Sequence, residues 1–315
     1  MIGAVVIGRN EGERLVRCLA SLSGISNVVY VDSGSTDGSI AAAQGAGADV
    51  VALDMNEPFT AARARNAGLA RLREGGTPPE FVQFVDGDCA VQPGWVETAH
   101  AFLRDHPKAA VACGRRRERY PDASTYNRLC DLEWDTPVGL ARACGGDALM
   151  RMAALDEVGD YNPTLIAGEE PELCVRLRKS GWEIWRLEAE MTLHDAAMTR
   201  FGQWWIRSRR AGHAFAEGAA MHGGPPERHG VVETRRALLW GLGLPVVTVL
   251  AAAITPWGWL LLLAYPLQIL RLGLRSGDWV QAFFLTIGKF AEMLGILGYW
   301  LGRLRRHQAR LIEYK

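Results

Sequence analysis

The chain has 315 residues, 35 basic and 35 acidic side chains, and a hydrophobic share of 49%. That apolar content excludes disorder, and the composition excludes a collagen-like or disulfide-scaffold protein. Neutrality of the whole hides an asymmetry, because residues 1–194 carry 20 basic and 28 acidic groups while residues 195–315 carry 15 and 7. The acidic part is expected to need a cation, and the basic part an anionic partner such as phosphate or a lipid surface. Six cysteines (18, 89, 113, 130, 144, 174) contain no C-x-x-C pair. This predicts neither a zinc site nor a disulfide framework, and suits a reduced, cytosolic setting. The run Ile2–Ile7 is too short, and has no basic lead, for a secretory signal.

Short apolar runs alternate with helical patterns over the first 113 residues. Strands are expected at Ile2–Ile7, Val28–Val31, Val50–Leu53, Phe81–Val85 and Ala109–Cys113. Helices are expected near 36–44, 60–73 and 94–104, the last with Pro93 in its first turn. This alternation predicts an α/β fold, Rossmann-like, with a mainly parallel sheet and helices on both faces. Ligands of such sheets bind beyond the carboxyl ends of the strands. Three of those ends are polar and acidic: Gly8-Arg9-Asn10-Glu11, Asp32-Ser33-Gly34-Ser35-Thr36-Asp37-Gly38, and Asp86-Gly87-Asp88.

Asp86 and Asp88 lie two residues apart at a strand end, a spacing that lets both carboxylates face one way. Hard oxygen ligands of this kind suit Mg²⁺ or Mn²⁺, which in turn bridges a diphosphate. Asp32 is left unexplained by helix capping, which accounts for Ser35 to Asp37. Arg65 and Asn66 sit on a helix within reach of a ribose or phosphate. Glu169 and Glu170 open a helix that runs to about Ser180, with Pro171 in its first turn. The helix dipole favours their ionised form, which is the form that accepts a proton. His194 follows the strand-like Met191–Leu193 and is a candidate metal ligand.

From Ala237 to Leu270 there are 34 residues without a charge, interrupted by Pro245, Pro256 and Pro266 and flanked by arginines on both sides. A bilayer core takes about 20 helical residues, so this run predicts a hairpin or re-entrant pair with both ends cytoplasmic. Residues 279–302 predict a further amphipathic helix, interfacial or spanning, with Lys289 and Glu292 one turn apart. Three segments follow: a catalytic domain over 1–200, an amphipathic basic connector over 201–236, and a membrane-associated helical region over 237–315. In the connector, Trp204, Trp205, Arg207, Arg209 and Arg210 make an aromatic-basic patch suited to phosphates or anionic headgroups. The patch is too short and too close to the apolar run for nucleic acid.

The ordered set Arg-Asn-Glu (9–11), Val-Asp-Ser-Gly-Ser-Thr-Asp-Gly (31–38), Ala-Arg-Asn (64–66), Asp-Gly-Asp (86–88), Gly-Gly-Asp (145–147) and Gly-Glu-Glu-Pro-Glu-Leu (168–173) resembles the family 2 glycosyltransferases with the GT-A fold. The resemblance spans roughly residues 1–200, and the apolar tail is similar to the membrane-associated subgroup of succinoglycan type. It implies a nucleotide-sugar donor, most simply a UDP-sugar, and a divalent metal. It also implies a lipid-linked or glycan acceptor in bacterial exopolysaccharide synthesis, at the cytoplasmic face of the inner membrane. On the same resemblance, Arg9, Glu11, Asp32, Arg65 and Asn66 hold the nucleotide, and Asp86 faces ribose or metal. Asp88 ligates the metal, Gly146 and Asp147 line the sugar or acceptor pocket, and Glu170 is the base in an inverting displacement. The family's Glu-Asp pair is Glu169-Glu170 here, one methylene longer at the base position. The processive Gln-x-x-Arg-Trp pattern is not matched by residues 203–207, which implies single-residue transfer. Two rivals are a catalytically silent membrane scaffold of the same fold and a sugar-nucleotide pyrophosphorylase. The second is disfavoured because its triphosphate loop is basic and Gly-rich, whereas Glu11 and Glu13 occupy that loop here.

Overall fold

The computed structural model describes residues 1–305, in two compact units of which the first is Met1–Thr199 and the second begins at Arg200. The first unit opens with β1 (Ile2–Gly8), α1 (Glu13–Ala20), β2 (Asn27–Asp32), α2 (Ser39–Gly45), β3 (Asp49–Ala52) and α3 (Ala61–Glu74). It continues with β4 (Phe81–Asp86), β5 (Cys89–Val91), α4 (Trp95–Asp105), β6 (Ala109–Glu118), α5 (Thr125–Trp134) and β7 (Gly139–Leu140). The last elements are β8 (Ala148–Arg151), α6 (Met152–Val158), α7 (Glu169–Lys179) and β9 (Glu183–His194).

Among the described residues the strands form one mixed sheet in the order β3-β2-β1-β4-β8-β6-β9-β5, with β7 on β9. The half built from β3, β2, β1 and β4 is parallel, and its register aligns Gly8 with Asp32 and Ile7 with Asp86. Three strand ends therefore finish at one edge. Beyond β4 the sheet is less parallel than expected, since β8 runs antiparallel to both β4 and β6, and β5 runs antiparallel to β9.

The runs Ala4–Val6, Val29–Val31 and Phe81–Val85 are buried because helices cover both faces of a parallel sheet. One polar residue lies among them. Gln83 is fully buried and takes the indole N–H of Trp95 at 2.9 Å while giving its amide to the Phe84 carbonyl at 2.8 Å. On α3, Gly68 lies directly against Val5 and Val31, with no space for a Cβ. That close approach brings the helix, and Arg65 one turn earlier, down onto the sheet.

Two expectations change. Pro93 precedes α4 instead of sitting in its first turn, because Gly94 in the left-handed region (φ 80°) separates it from the first helical residue, Trp95. The turn closes from Trp95 N–H to the Gln92 carbonyl, which makes Pro93 a turn residue. Strand β6 runs five residues past Cys113, since the charged stretch Arg115–Glu118 pairs in parallel with Glu190–His194 of β9.

The second unit holds α8 (Phe201–His222), α9 (Val231–Leu238), α10 (Leu244–Ile254), α11 (Ala264–Ser276) and α12 (Trp279–Leu304). A π-helical turn over Leu239–Gly243 joins α9 to α10, and a 3₁₀ segment over Pro256–Leu263 leads into α11. Among the described residues three stretches are long and apolar enough to cross a membrane: Val231–Ile254, Pro256–Ser276 and Trp279–Leu304. Helices α8 and α12 meet through glycines, Gly212 against the Glu292 backbone and Gly295 against the Arg209 backbone. Trp204, expected in a surface patch, is instead buried in this unit, edge-on to Phe284 at 4.8 Å. Lys289 and Glu292 pair at 2.7 Å.

Candidate active site

The loop after β1 is clipped to the loop after β2. Asn10, at φ 56°, donates its N–H to Ser35 Oγ at 2.9 Å and accepts at Oδ1 from the Thr36 N–H at 2.7 Å. The Gly12 N–H donates to Asp37 Oδ2 at 3.1 Å, and Asp37 Oδ1 accepts from Ser39 N–H at the start of α2. Arg9 lies exposed over the ring of Phe59, and Glu11 pairs with Arg14 at 2.7 Å.

At the end of β4 stands a charge cluster. Arg65 is 3% exposed and reaches Asp86 Oδ1 and Glu169 Oε1, each at 2.8 Å, with its guanidinium over the Tyr161 ring. Arg116 reaches Asp147 Oδ2 at 2.7 Å and Asp86 Oδ2 at 3.5 Å, over the Trp134 ring. Burial alone pushes the Asp86 carboxyl up, but the Arg65 and Arg116 charges outweigh it and hold the group below the usual carboxylate range. Gly146 lets these groups converge, since a Cβ there would lie 2.8 Å from Asp86 Oδ2 and 3.0 Å from Arg65.

Asp88 and His194 meet because β5 pairs with β9, placing Cys89 opposite His194. Asp88 Oδ2 lies 3.2 Å from His194 Nε2, and both side chains are buried. His194 Nδ1 is buried without a hydrogen-bond partner among the described residues and faces Glu118 Oε2 at 3.8 Å. A carboxylate and an imidazole aimed at each other, backed by a second carboxylate, are a donor set that fits Mn²⁺ or Mg²⁺.

Three expected ligand contacts are turned inward. Asp32 accepts from the Tyr30 hydroxyl, Gly34 N–H and Ser35 N–H, so its carboxylate organises the turn after β2. Asn66 spends both ends of its amide on the Tyr161 backbone, which seats the ring under Arg65. Asp147 is fully buried and accepts from Asp86 N–H, Thr192 Oγ1 and Arg116. These three hold the cluster together from behind.

Glu169 and Glu170 begin α7 and diverge. Glu169 is committed to Arg65. Glu170 Oε1 accepts from the Cys144 N–H at 2.6 Å, the Cys144 thiol at 3.1 Å and the Cys174 thiol at 2.9 Å. Burial pushes both thiols up, Cys174 to about 11. The residues missed from sequence are Arg116, Glu118, Trp134 and Tyr161. The run Arg115-Arg116-Arg117 was a visible signal for the first, obscured because a strand was expected to end before it.

Residues 4–159 match the profile of glycosyl transferase family 2. The first unit carries a domain of that family. It is 26% identical over 237 residues to the pre-mycofactocin glycosyltransferase of Mycobacterium tuberculosis, a match covering 70% of this chain and 48% of that protein. The chain thus spans about half the length of the curated relatives it matches. A mannosyltransferase from Pyrobaculum calidifontis, solved in complex with GDP-Man and Mn²⁺, superposes with a TM-score of 0.65 at 17% identity, over 94% of this chain and 86% of that one. Glucosyl-3-phosphoglycerate synthase from Mycobacterium tuberculosis, solved with Mg²⁺ and UDP, gives 0.53 at 19% identity, over 71% and 80%. These likenesses establish the GT-A fold.

Proposed function

We propose that the chain transfers one sugar from a nucleotide-sugar, a UDP-sugar in the simplest case, to a lipid-linked or glycan acceptor. The reading places it at the cytoplasmic face of a bacterial inner membrane, in surface or exopolysaccharide synthesis. The observation that carries it is the Arg65 bridge, which ties Asp86 at the end of β4 to Glu169 at the start of α7. One guanidinium so joins the strand end where a donor diphosphate belongs to the helix end that carries the base.

Asp88 and His194 would hold the divalent ion, whose chemistry is to neutralise charge on the departing diphosphate. Arg116, and Arg9 from the exposed loop after β1, add positive charge on the same edge. Glu170 is the base. Its Oε1 is anchored by three donors, while Oε2 has no hydrogen bond among the described residues and is free to take the acceptor proton. Glu169, held by Arg65, keeps the helix start in position. Displacement from the face opposite the diphosphate inverts the anomeric carbon. The three apolar stretches of the second unit support a membrane location and an acceptor presented there.

The test is nucleoside-diphosphate release by detergent-solubilised protein across a panel of sugar nucleotides, with Mn²⁺, Mg²⁺ or EDTA. Release with one donor, abolished by EDTA and by Asp88→Ala, supports the reading. Metal-independent release, or none with a lipid-linked acceptor extract added, overturns it.

A further inference from the structure

The cysteines that form no motif in the sequence are gathered by the fold. Cys144, between β7 and β8, and Cys174, one turn into α7, hold their sulfurs 3.8 Å apart, with Glu170 Oε1 at 3.1 Å from one and 2.9 Å from the other. We propose that Cys144, Cys174 and Glu170 form a second metal site, distinct from the Asp88–His194 pair, that takes a thiophilic dication of the zinc class.

The distances support tetrahedral coordination. With metal–sulfur bonds of about 2.3 Å, two tetrahedral thiolates stand about 3.8 Å apart, the separation present here. A carboxylate oxygen bound at about 2.0 Å would stand about 3.5 Å from each sulfur. Glu170 Oε1 thus needs to withdraw by roughly half an ångström, from hydrogen-bond to coordination distance. Three side-chain atoms from two segments already lie together.

The ligand chemistry separates this site from the first. Two sulfurs and one oxygen favour zinc-class ions, while Asp88 and His194 offer the harder oxygen and nitrogen donors that suit Mn²⁺ or Mg²⁺. Cys174 and Glu170 are buried, but Cys144 is only half-buried, giving an ion a route in and leaving room for a water as fourth ligand. Binding exchanges the two thiol protons, released to solvent, for one dication. Arg178, whose charge acts on Cys174, offsets the remaining negative charge. A consequence rests on the proposed function. An ion on Glu170 Oε1 draws charge from the same carboxylate and weakens Oε2 as base, so zinc inhibits transfer supported by Mn²⁺.

Cobalt titration of the reduced full-length protein tests the site without turnover. One equivalent of Co²⁺ should give a thiolate-to-cobalt charge-transfer band that Zn²⁺ bleaches. Cys89→Ala, which alters the cysteine beside Asp88, should leave the band intact. Cys144→Ser and Cys174→Ser should each lose it, with binding weakened about tenfold or more. A band of wild-type intensity in both serine variants, or no thiolate band in the wild type, overturns the proposal. Zinc inhibition is then read in each protein against its own zinc-free rate. Inhibition about tenfold weaker in Cys144→Ser supports an ion on Glu170, and equal inhibition refutes that consequence. If no donor is turned over at all, the proposed function fails and the cobalt spectrum still decides the site.

Discussion

Around Asp86 the first unit buries charge and pairs it, with Arg65, Arg116, Asp147 and Glu169 linked at 2.7–3.5 Å. The second unit does the opposite and leaves apolar groups outside: Leu250 is 61% exposed, Ile254 87% and Trp257 74%. A buried charge is tolerable only with a partner, and an exposed apolar helix is tolerable only against another apolar medium. The comparison teaches that the two halves depend on different environments. On the proposed function, chemistry belongs to the half whose polar groups are confined, and membrane attachment to the half whose apolar groups are not.

The sharpest break of the first half is at Glu170, the proposed base. Glu170→Gln preserves the shape and removes the proton acceptor, so kcat should fall about 10²–10⁴-fold with donor KM little changed, read by nucleoside-diphosphate release. Arg65→Met removes the Glu169 partner and leaves Asp86 with Arg116 alone at 3.5 Å, which should cost about 3–5 kcal/mol, measured by chemical denaturation of the solubilised protein. In the second half, Leu250→Arg places a charge on an exposed apolar face. It should cost about 2.5–3.5 kcal/mol of membrane insertion, seen as loss from the membrane fraction while nucleotide binding persists. Gly68→Ala forces α3 away from Val5 and should destabilise the first unit by about 1–3 kcal/mol, with a matching drop in melting temperature.

The smallest effect concerns pH. Asp131 takes two bonds from Arg117 and one from the Glu118 N–H. Burial opposes its ionisation, but these donors, Arg117 foremost, hold its carboxyl below the ordinary range. A depressed folded value means that the stabilisation is present above the unfolded value of about 3.9 and is lost as pH falls through the folded one. Asp131→Asn should cost about 1 kcal/mol at neutral pH, after solvent screening, and remove that part of the acid sensitivity. Denaturation of both proteins at neutral and acid pH measures it.

Much of the first unit was legible because buried parallel strands are short apolar runs that end in polar turns. Ile2–Ile7, Val28–Val31 and Phe81–Val85 fall within strands, and Asp86, Asp88, Glu169 and Glu170 gather at the carboxyl edge or the start of α7. Harder to read were segments whose charges serve the fold. Arg115–Glu118 and most of β9 look like solvated loop until parallel pairing places Arg116 beside Asp86 and Glu118 beside His194. Asp32, Asn66 and Asp147 carry the right residue types for ligand contact, but spacing gives no direction, and their hydrogen bonds turn them inward. The cysteines show the same limit. Spacing predicts no metal site, while Cys144 and Cys174, thirty residues apart in sequence, meet at 3.8 Å. In the second unit the charge-free run was plain and Pro256 marks its division at Thr255, but Pro245 and Pro266 give the same signal inside α10 and α11, where the helices continue.

On the proposed function, the carboxyl edge of the sheet performs metal-dependent sugar transfer with Glu170 as base. The most direct measurement is nucleoside-diphosphate release by the full chain in detergent, with Mn²⁺ or EDTA, comparing wild type, Asp88→Ala and Glu170→Gln. Release is expected with one donor, lost in EDTA and in Asp88→Ala, and reduced at least about a hundredfold in Glu170→Gln while donor binding is retained. Full release in Glu170→Gln, or undiminished release in EDTA, would contradict it.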